Sequence, residues 1–314
     1  MTSVVQADRA RDTLAHQALF YRGSEDYLDG VGRFLEPGME ADEPIALAVP
    51  RSRATLLRDR LSAWSPEIEL LDMVEVGRNP ARIIPSVHAL LAKHNGRMLH
   101  YVSEPIWPGR SAAEIREAVR HEALINMAWP SAQIRALCPY DAEALDDAVL
   151  ADAERTHPWV IRAGDGASSP DFSGSSVPPG SDQPLSEPPS RAWSLRFGLE
   201  DLSRVRALVA SSAASAGLTE ERTADLVLAV NEVASNAIKH AGSSGLIRVW
   251  NSSAGLLCQL DDSGHITDPL AGRHPPAPGV DGGLGLWMVN QLCDLVEIRT
   301  STSGTAVRVH MYRS

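Results

Sequence analysis

The stretch LVLAVNEVASNAIKHAG, residues 226–242, has the apolar spacing of a half-buried helix but carries Glu232 and Asn236 in its middle. Residues four apart lie one above the other on a helix, so this carboxylate and this amide share one face. Lys239 and His240 follow at the end of the same run. The pattern indicates that something on that face requires both an acid and an amide.

The composition is typical of a globular protein with two domains. The chain has 314 residues, of which 44% are hydrophobic and 22% are charged, which is enough for two separate cores. No apolar run in the sequence reaches the roughly 18 to 20 residues that span a bilayer, and the first residues lack the apolar core of a signal peptide. We therefore expect a cytoplasmic protein without a membrane partner.

Charge and cysteine content argue against several further classes. A net charge of -11 without a basic stripe argues against direct nucleic-acid binding. Cys138, Cys258 and Cys293 are widely spaced, odd in number and surrounded by apolar residues. This pattern predicts buried thiols rather than a disulfide framework or a zinc site.

Residues 164–191 consist mainly of Gly, Ser, Pro and Asp, with almost no apolar side chain to bury. Such a segment cannot offset the entropy cost of ordering it, which predicts a flexible, disordered linker. It separates an N-terminal domain, residues 1–163, from a C-terminal domain, residues 192–314.

Strand and helix patterns alternate through the N-terminal domain. The predicted strands are 18–21, 44–50, 68–76, 97–106 and 134–141. The predicted helices lie between them, at 24–39, 51–64, 81–96 and 111–129. This alternation predicts a mostly parallel sheet covered by helices, a three-layer α/β domain.

The C-terminal domain has a different order of elements. A strand at 193–198 precedes two helices, the second of which begins after a Thr219 N-cap. A pair of strands, a Gly/Pro-rich loop, the helix GLWMVNQLCDLV and a closing pair of strands follow. Helices grouped beside antiparallel strands predict an α+β two-layer sandwich.

Four separated elements of this domain together resemble one nucleotide-binding superfamily. They are Glu232 with Asn236, then DDSG (261–264), GVDGGLGLWMVN (279–290) and SGT (303–305). In this order they resemble the N box, the Asp-x-Gly box, the Gly-x-Gly-Leu lid box and the final Gly-Thr of the GHKL fold. That superfamily includes gyrase, histidine kinases and anti-sigma-factor serine kinases. Each motif alone is weak, but the four in order indicate nucleotide binding.

The resemblance implies an MgATP site, and the residue types suit it. Asn236 offers a hard, neutral oxygen ligand for Mg²⁺. Glu232, one turn away, would accept the proton of an attacking hydroxyl or water. Asp262 would accept a hydrogen bond from the adenine amino group, and the missing side chain of Gly264 lets the base approach.

The other implied contacts surround the phosphates and support the adenine-binding Asp262. Gly283 and Gly285, followed by Leu286, would present backbone amides at the positive end of a helix. Thr305 would support Asp262 through its hydroxyl or a water. Lys239 and His240 would contact phosphates, although a solvated helix end explains them nearly as well.

The sequence also departs from the superfamily's pattern in two places. His265 and Ile266 follow Gly264 where many relatives have a second glycine, so the adenine side of the site is expected to differ. The loop 267–282 is rich in proline and is shorter than the flexible ATP lid of many relatives.

Among the branches of the superfamily, the run Glu-x-x-x-Asn-Ala with GLGLWMVNQLCD and GTAVRVHM looks most like the stand-alone anti-sigma-factor serine kinases. Such proteins bind a sigma factor and phosphorylate a serine or threonine of a small antagonist that otherwise displaces it, and dimers are common among them. Two alternatives stay open. One is a histidine kinase, although no dimerising hairpin is evident upstream of residue 192. The other is a non-catalytic module that sequesters a sigma factor with ATP as a structural ligand.

The N-terminal domain resembles the MEDS sensory domain over roughly residues 16–157. The matching segments are HQALFYRGSEDYL, LLDMVEVGRNPARIIP, SEPIWPGRSAAEI, HEALIN and LCPYD. The resemblance implies a small organic ligand and a fold related to P-loop ATPases, although the G-x-x-x-x-G-K-[ST] motif is absent from the sequence.

A ligand crevice is expected at the ends of the parallel strands. Glu104, Trp107 and Arg110 follow one such strand. The structural alternative is that Trp107 packs under the loop and Glu104 pairs with Arg110. The other candidate residues of this sensory pocket are His16, Tyr21, His121 and Glu122.

Overall fold

The computed structural model describes residues 14–61, 68–241, 244–275 and 283–313. The chain forms two compact units, Met1–Ser181 and Asp182–Ser314. The N-terminal unit has a mostly parallel sheet with helices, and the C-terminal unit has an antiparallel sheet with helices. The fold class predicted for both domains is thereby confirmed.

The N-terminal unit contains seven strands and six α-helices within the described residues. The strands are β1 (Ala15–Tyr21), β2 (Ile45–Val49), β3 (Glu69–Asp72), β4 (Leu99–Ser103), β5 (Ile134–Asp141), β6 (Trp159–Arg162) and β7 (Asp165–Ser168). The helices are α1 (Gly23–Glu40), α2 (Arg51–Leu61), α3 (Met73–Val76), α4 (Ile83–His94), α5 (Ala112–Ala128) and α6 (Asp147–Thr156). The sheet order is β3-β2-β4-β5-β1-β6-β7, and every pairing is parallel except β6 with β7.

The central strand β1 shows why this unit has three layers. Its Leu19 and Tyr21 pack into one apolar cluster, whereas Ala18 and Phe20 pack into another. Alternate residues of a strand point to opposite faces of the sheet, so each face needs its own cover of helices. The run ALFY at 18–21, which has an apolar or aromatic side chain at every position, is therefore typical of a strand covered on both faces.

Two segments of this unit differ from the sequence-based expectation. Residues 73–76, expected as part of a strand, form helix α3, because the Asp72 side chain accepts a hydrogen bond from the backbone N–H of Val74 (3.1 Å) and starts a helix there. The expected linker begins at residue 164, but Asp165–Ser168 pair with β6 as strand β7. The end of the helix expected at 51–64 lies partly outside the described residues.

Within its described residues, the C-terminal unit has a five-stranded antiparallel sheet with helices on one face. Its elements are β8 (Trp193–Phe197), α7 (Leu202–Ser215), α8 (Glu220–Ala241), β9 (Gly245–Asn251), β10 (Gly255–Asp262), α9 (Leu284–Leu292), β11 (Leu295–Ser301) and β12 (Gly304–Tyr312). The sheet order is β11-β12-β10-β9-β8. Helix α8 begins as expected, since the hydroxyl of Thr219 accepts from the backbone N–H of Arg222 (3.2 Å).

Strand alternation in this unit directs two polar residues towards the helices. Cys258 and Leu260 of β10 belong to the core beneath the helices, as do Val307 and Val309 of β12. Asp262 and Thr305 continue the same alternation at the strand ends, so they lie on the helix side of the sheet.

The other face of this sheet is polar and contacts residues that precede β8. Arg299 donates to the carbonyl of Gln183 (3.0 Å), and Arg308 donates to the carbonyl of Ser186. These contacts join residues 183 and 186 to the C-terminal sheet. The boundary between the two units accordingly falls between Ser181 and Asp182, inside the segment that composition assigns to the linker.

Candidate functional site

A cavity of about 720 Å³ in the C-terminal unit lies among helix α8, the ends of β10 and β12, and the start of α9. Its volume lies within the range typical of small-molecule and cofactor sites. Ten residues that the sequence assigns to the nucleotide site line this one cavity: Glu232, Asn236, Lys239, His240, Asp262, Gly264, Gly283, Gly285, Leu286 and Thr305.

Helix α8 supplies four of these residues at positions that share one face. Glu232 and Asn236 are half-buried in the middle of the helix, whereas Lys239 and His240 are exposed at its end. The spacing of three to four residues brings the four side chains to the same side of the helix. The polar centre of the cavity therefore has a carboxylate and an amide, and a lysine and a histidine stand near its rim.

Gly285 in the first turn of α9 lies close to this face. A Cβ atom on Gly285 would lie 3.0 Å from Asn236 Nδ2 and 3.2 Å from Glu232 Oε2. Any side chain at this position would press on both polar groups. The glycine thus keeps the space between α8 and α9 open where the helix start faces the carboxylate and the amide.

The start of α9 is shaped by a left-handed residue. Gly283 has φ of 80° and occupies the N-cap position. The first backbone N–H groups of a helix lack intrahelical partners and carry the positive end of the helix dipole, which suits phosphate oxygens. Residues 279–282 of the same motif lie outside the described residues.

Asp262 and Thr305 face each other across β10 and β12 in the antiparallel register. The Asp262 carboxylate accepts from the backbone N–H of Gly264 (2.6 Å), which fixes the turn after β10. The hydroxyl of Thr305 donates to the carbonyl of Gly264 (2.8 Å). Thr305 therefore supports Asp262 through the turn that holds it.

The cavity has a wall that the sequence motifs do not identify. Gly272, with φ of 72°, packs against the backbone of Leu286, and the side-chain amide of Asn290 donates to its carbonyl (3.0 Å). Leu270, Ala271 and His274 line the cavity nearby. The glycine in the Pro-rich loop is the one sequence signal for this wall, since it marks a sharp turn.

In the N-terminal unit, Tyr21 and Glu104 belong to one buried polar cluster. Both Tyr21 and Tyr27 donate their hydroxyls to the Glu104 carboxylate (3.4 and 3.5 Å). Arg53 donates to the Tyr21 hydroxyl (2.7 Å) and lies 3.8 Å from Glu104 Oε1. Burial raises the pKa of Glu104 to about 7, although Arg53 opposes the shift. Tyr27 and Arg53 also belong to this cluster, although neither is among the residues predicted for the pocket.

Arg110 and Trp107 form a second group in the loop after β4. The Arg110 guanidinium lies over the Trp107 ring at 4.4 Å and donates to the carbonyls of Pro105 (2.6 Å) and Gly77 (2.8 Å). Arg110 is 8% exposed. These contacts hold two loops together.

His16 and Glu122 form a third, fully buried group. His16 Nε2 lies 2.9 Å from Glu122 Oε2. Cys138 and His157 approach the same atoms, and the sequence patterns give neither of them a role in this pocket. His121, the neighbour of Glu122 on α5, is also buried. Six of the seven residues of the expected sensory pocket thus fall into three distinct groups, and the seventh, His121, is buried on α5.

Comparison with known families agrees with this division of the chain. Residues 195–311 match the family model described as "Histidine kinase-like ATPase domain". The C-terminal unit carries a histidine kinase-like ATPase domain. Residues 15–158 match the model described as "MEDS: MEthanogen/methylotroph, DcmR Sensory domain", so a MEDS domain precedes it. No curated protein is significantly similar to this chain.

The histidine kinase-like ATPase domain implies ATP binding and a kinase-like regulatory activity. The cavity fits MgATP. It combines the backbone amides of a helix start, which suit phosphate oxygens, with the side-chain amide of Asn236, and Gly285 leaves room between them. In the described part of the chain, every helix is too short or too polar to cross a membrane.

Proposed function

We propose that this chain is a kinase of the anti-sigma type, which binds MgATP in the C-terminal cavity and phosphorylates a serine or threonine of a small antagonist protein. In the absence of the antagonist it would hold a sigma factor, so that phosphorylation of the antagonist decides which partner is bound. The observation that carries this proposal is that Glu232, Asn236, Asp262 and Gly285 line one cavity.

The cavity residues would divide the work between binding and proton transfer. Bound MgATP supplies the γ-phosphoryl group that is transferred. Asn236 would hold Mg²⁺ through its amide oxygen, and Asp262 would accept from the adenine amino group. The backbone of Gly283, Gly285 and Leu286 would bind phosphate oxygens.

Glu232 distinguishes a kinase from a passive ATP-binding module. Its carboxylate lines the cavity one helical turn from Asn236, where a general base for an attacking hydroxyl is needed. Glu232 would take the hydroxyl proton of the antagonist while the oxygen bonds to phosphorus and ADP leaves. Lys239 and His240 at the exposed helix end would face the phosphates or the incoming partner.

The MEDS domain would modulate this activity by binding a small organic molecule. The buried cluster of Tyr21, Tyr27, Arg53 and Glu104 supports this role, because it places charged and hydroxyl groups at the ends of parallel strands. The signal would pass to the ATPase domain in the same chain.

Labelling with γ-labelled MgATP tests the proposal. The purified full chain is incubated with labelled MgATP and a fraction of small proteins from the source cell, and each labelled band is treated with acid and with base. Label on a small partner that survives acid and maps to a serine or threonine is the expected result. Acid-labile label on the chain itself would indicate a histidine kinase, and tight ATP binding without any label would indicate a non-catalytic module.

A matched pair of variants on one helix separates chemistry from binding. Glu232→Gln should retain ATP binding and lose the label on the partner. Glu221→Gln changes an exposed carboxylate at the start of α8 and should behave as the wild type. Unaltered labelling in the Glu232 variant would remove the general base from the proposal.

A further inference from the structure

Four buried side chains with metal-binding atoms meet in the N-terminal unit. They are His16 of β1, Glu122 of α5, Cys138 of β5 and His157 directly after α6. One atom from each lies within 4.8 Å of the others, and each residue is at most 1% exposed. The cluster is separate from the ATPase cavity and has no part in the function proposed above.

Hydrogen bonds outside the cluster orient both histidine rings. His157 Nδ1 lies 2.8 Å from the carbonyl oxygen of Ala153, which can only accept, so this nitrogen carries a proton. His16 Nδ1 lies 3.2 Å from Asn126 Oδ1, and the Asn126 amide is fixed by donation to the Thr156 carbonyl (2.8 Å). Both rings therefore direct Nε2 into the cluster. Histidines that bind metals are commonly oriented through their second nitrogen in this way.

This orientation creates a conflict that a cation would resolve. Glu122 Oε2 lies 2.9 Å from His16 Nε2 and 3.4 Å from His157 Nε2. When Nδ1 carries the proton of a neutral ring, Nε2 presents a lone pair, which the carboxylate repels. Among the described residues, His157 Nε2 and Glu122 Oε1 have no hydrogen-bond partner of acceptable geometry. Buried polar atoms are rarely left in that state.

The spacing of the four atoms is close to that of a tetrahedral metal site. Bonds of about 2.0–2.3 Å from zinc to nitrogen, oxygen and sulfur place neighbouring ligand atoms about 3.3–3.6 Å apart. Cys138 Sγ lies 3.5 Å from His16 Nε2 and 3.5 Å from Glu122 Oε2. The two histidine–carboxylate distances are 2.9 and 3.4 Å. Three of the six edges of the tetrahedron thus match these lengths, a fourth is shorter, and the remaining two are at most 4.8 Å.

We propose that His16, Glu122, Cys138 and His157 form a closed, four-ligand site for a divalent transition metal ion, with Zn²⁺ as the best match. Two imidazoles, a thiolate and a carboxylate are the donors that zinc takes in proteins, whereas Mg²⁺ and Ca²⁺ prefer oxygen ligands alone. With four protein ligands and no exposure, the ion would be structural. It would tie two central strands to α5 and to the turn after α6.

Metal content and a cobalt spectrum test the site in the full-length, tag-free chain. The wild type should retain about one zinc ion per chain after purification, as for closed structural sites. After removal of zinc, Co²⁺ should produce the charge-transfer band of a cobalt–thiolate bond. Cobalt at the nucleotide site would give no such band, because no cysteine lines that cavity in the described structure.

Two buried cysteines form a matched pair of variants for this experiment. Cys138→Ser should abolish the thiolate band and weaken zinc binding by more than about 100-fold, since it removes a direct ligand. Cys258→Ser changes a buried free cysteine of the other unit and should leave both unaltered. If Cys138→Ser does not fold, the cadmium-113 resonance of the cadmium-loaded wild type should report one sulfur ligand among nitrogen and oxygen ligands.

Three results would overturn the site. One is a folded wild type that holds no zinc and takes up neither zinc nor cobalt, in which case Glu122 is paired with a protonated histidine. The second is a thiolate band that persists in Cys138→Ser or disappears in Cys258→Ser. The third is a cadmium resonance without a sulfur ligand.

Discussion

Gly285 at the start of α9 lies so close to Asn236 on α8 that a Cβ atom on Gly285 would stand 3.0 Å from Asn236 Nδ2. These residues are far apart in sequence and on different helices, yet they form one wall of the candidate ATP site. The arrangement makes the glycine a spacer that leaves the amide free to bind a ligand.

Gly285→Ala should weaken MgATP binding by about tenfold or more, equivalent to about 1.4 kcal/mol. The added methyl group would press on Asn236 and Glu232, which changes the positions of both polar groups. Isothermal titration calorimetry with MgATP measures the effect. Gly198→Ala, where a Cβ atom meets nothing within 4 Å, is the control and should bind as the wild type. Equal affinity for MgATP in the two variants would show that Gly285 is not part of the nucleotide site.

Asn236→Ala should abolish MgATP binding while the fold is retained, because it removes the amide oxygen proposed to hold Mg²⁺. Asn231→Ala is a matched control on the same helix. The Asn231 side chain accepts from Arg206 (2.9 Å) at the exposed side of α8, so its loss should leave nucleotide affinity unchanged. Circular dichroism checks the fold of each variant. Unchanged affinity in Asn236→Ala would contradict the assignment of the magnesium ligand.

Thr305→Val should lower the free energy of unfolding by about 1 kcal/mol and weaken ATP binding. The substitution keeps the shape of the side chain but removes the hydroxyl that donates to the Gly264 carbonyl beside Asp262. Thr305→Ser retains a hydroxyl and should largely preserve both properties. Urea unfolding and nucleotide titration measure the two effects. If the valine variant binds ATP as well as the serine variant, the turn does not depend on this hydrogen bond.

Glu104 should make the stability of the N-terminal unit fall as pH rises. Burial raises its pKa from the usual 4.5 to about 7, so between these values the folded chain binds a proton that the unfolded chain does not. The contribution of Glu104 to the free energy of unfolding is therefore greatest below about pH 4.5. It falls by up to about 3 kcal/mol as the pH rises through about 7. The charged and titratable groups around it are Arg53, Tyr21, Tyr27 and Asp141.

Glu104→Gln isolates this contribution, because the amide imitates the protonated acid. Relative to the wild type, the variant should gain stability between pH 5 and pH 8 in thermal or urea unfolding. Glu143→Gln, which changes an exposed carboxylate, should show the pH dependence of the wild type. Parallel pH profiles for Glu104→Gln and the wild type would mean that Glu104 is ionised throughout this range.

Local patterns were sufficient for most of the fold and for the helix face of the site. Because Glu232 and Asn236 are four residues apart in a predicted helix, both side chains were expected on one face of it. The structure places both in one cavity. Strand alternation likewise set Asp262 and Thr305 on one face. The pattern failed at residues 73–76, because a single Asp72 cap outweighed the β propensity of a short apolar run.

The sequence by itself determined which residues share a helix face or a strand face, because the periods of 3.6 and 2 residues are properties of the local backbone. Only the tertiary structure decided which faces meet. Gly285 approaches Asn236 because α9 packs beside α8 in the folded unit. His16, Glu122, Cys138 and His157 come singly from different elements, so no spacing in the sequence identifies them. His16 lies near Cys138 because strands β1 and β5 pair in parallel, and Glu122 and His157 reach them because α5 and α6 pack on the same face of that sheet.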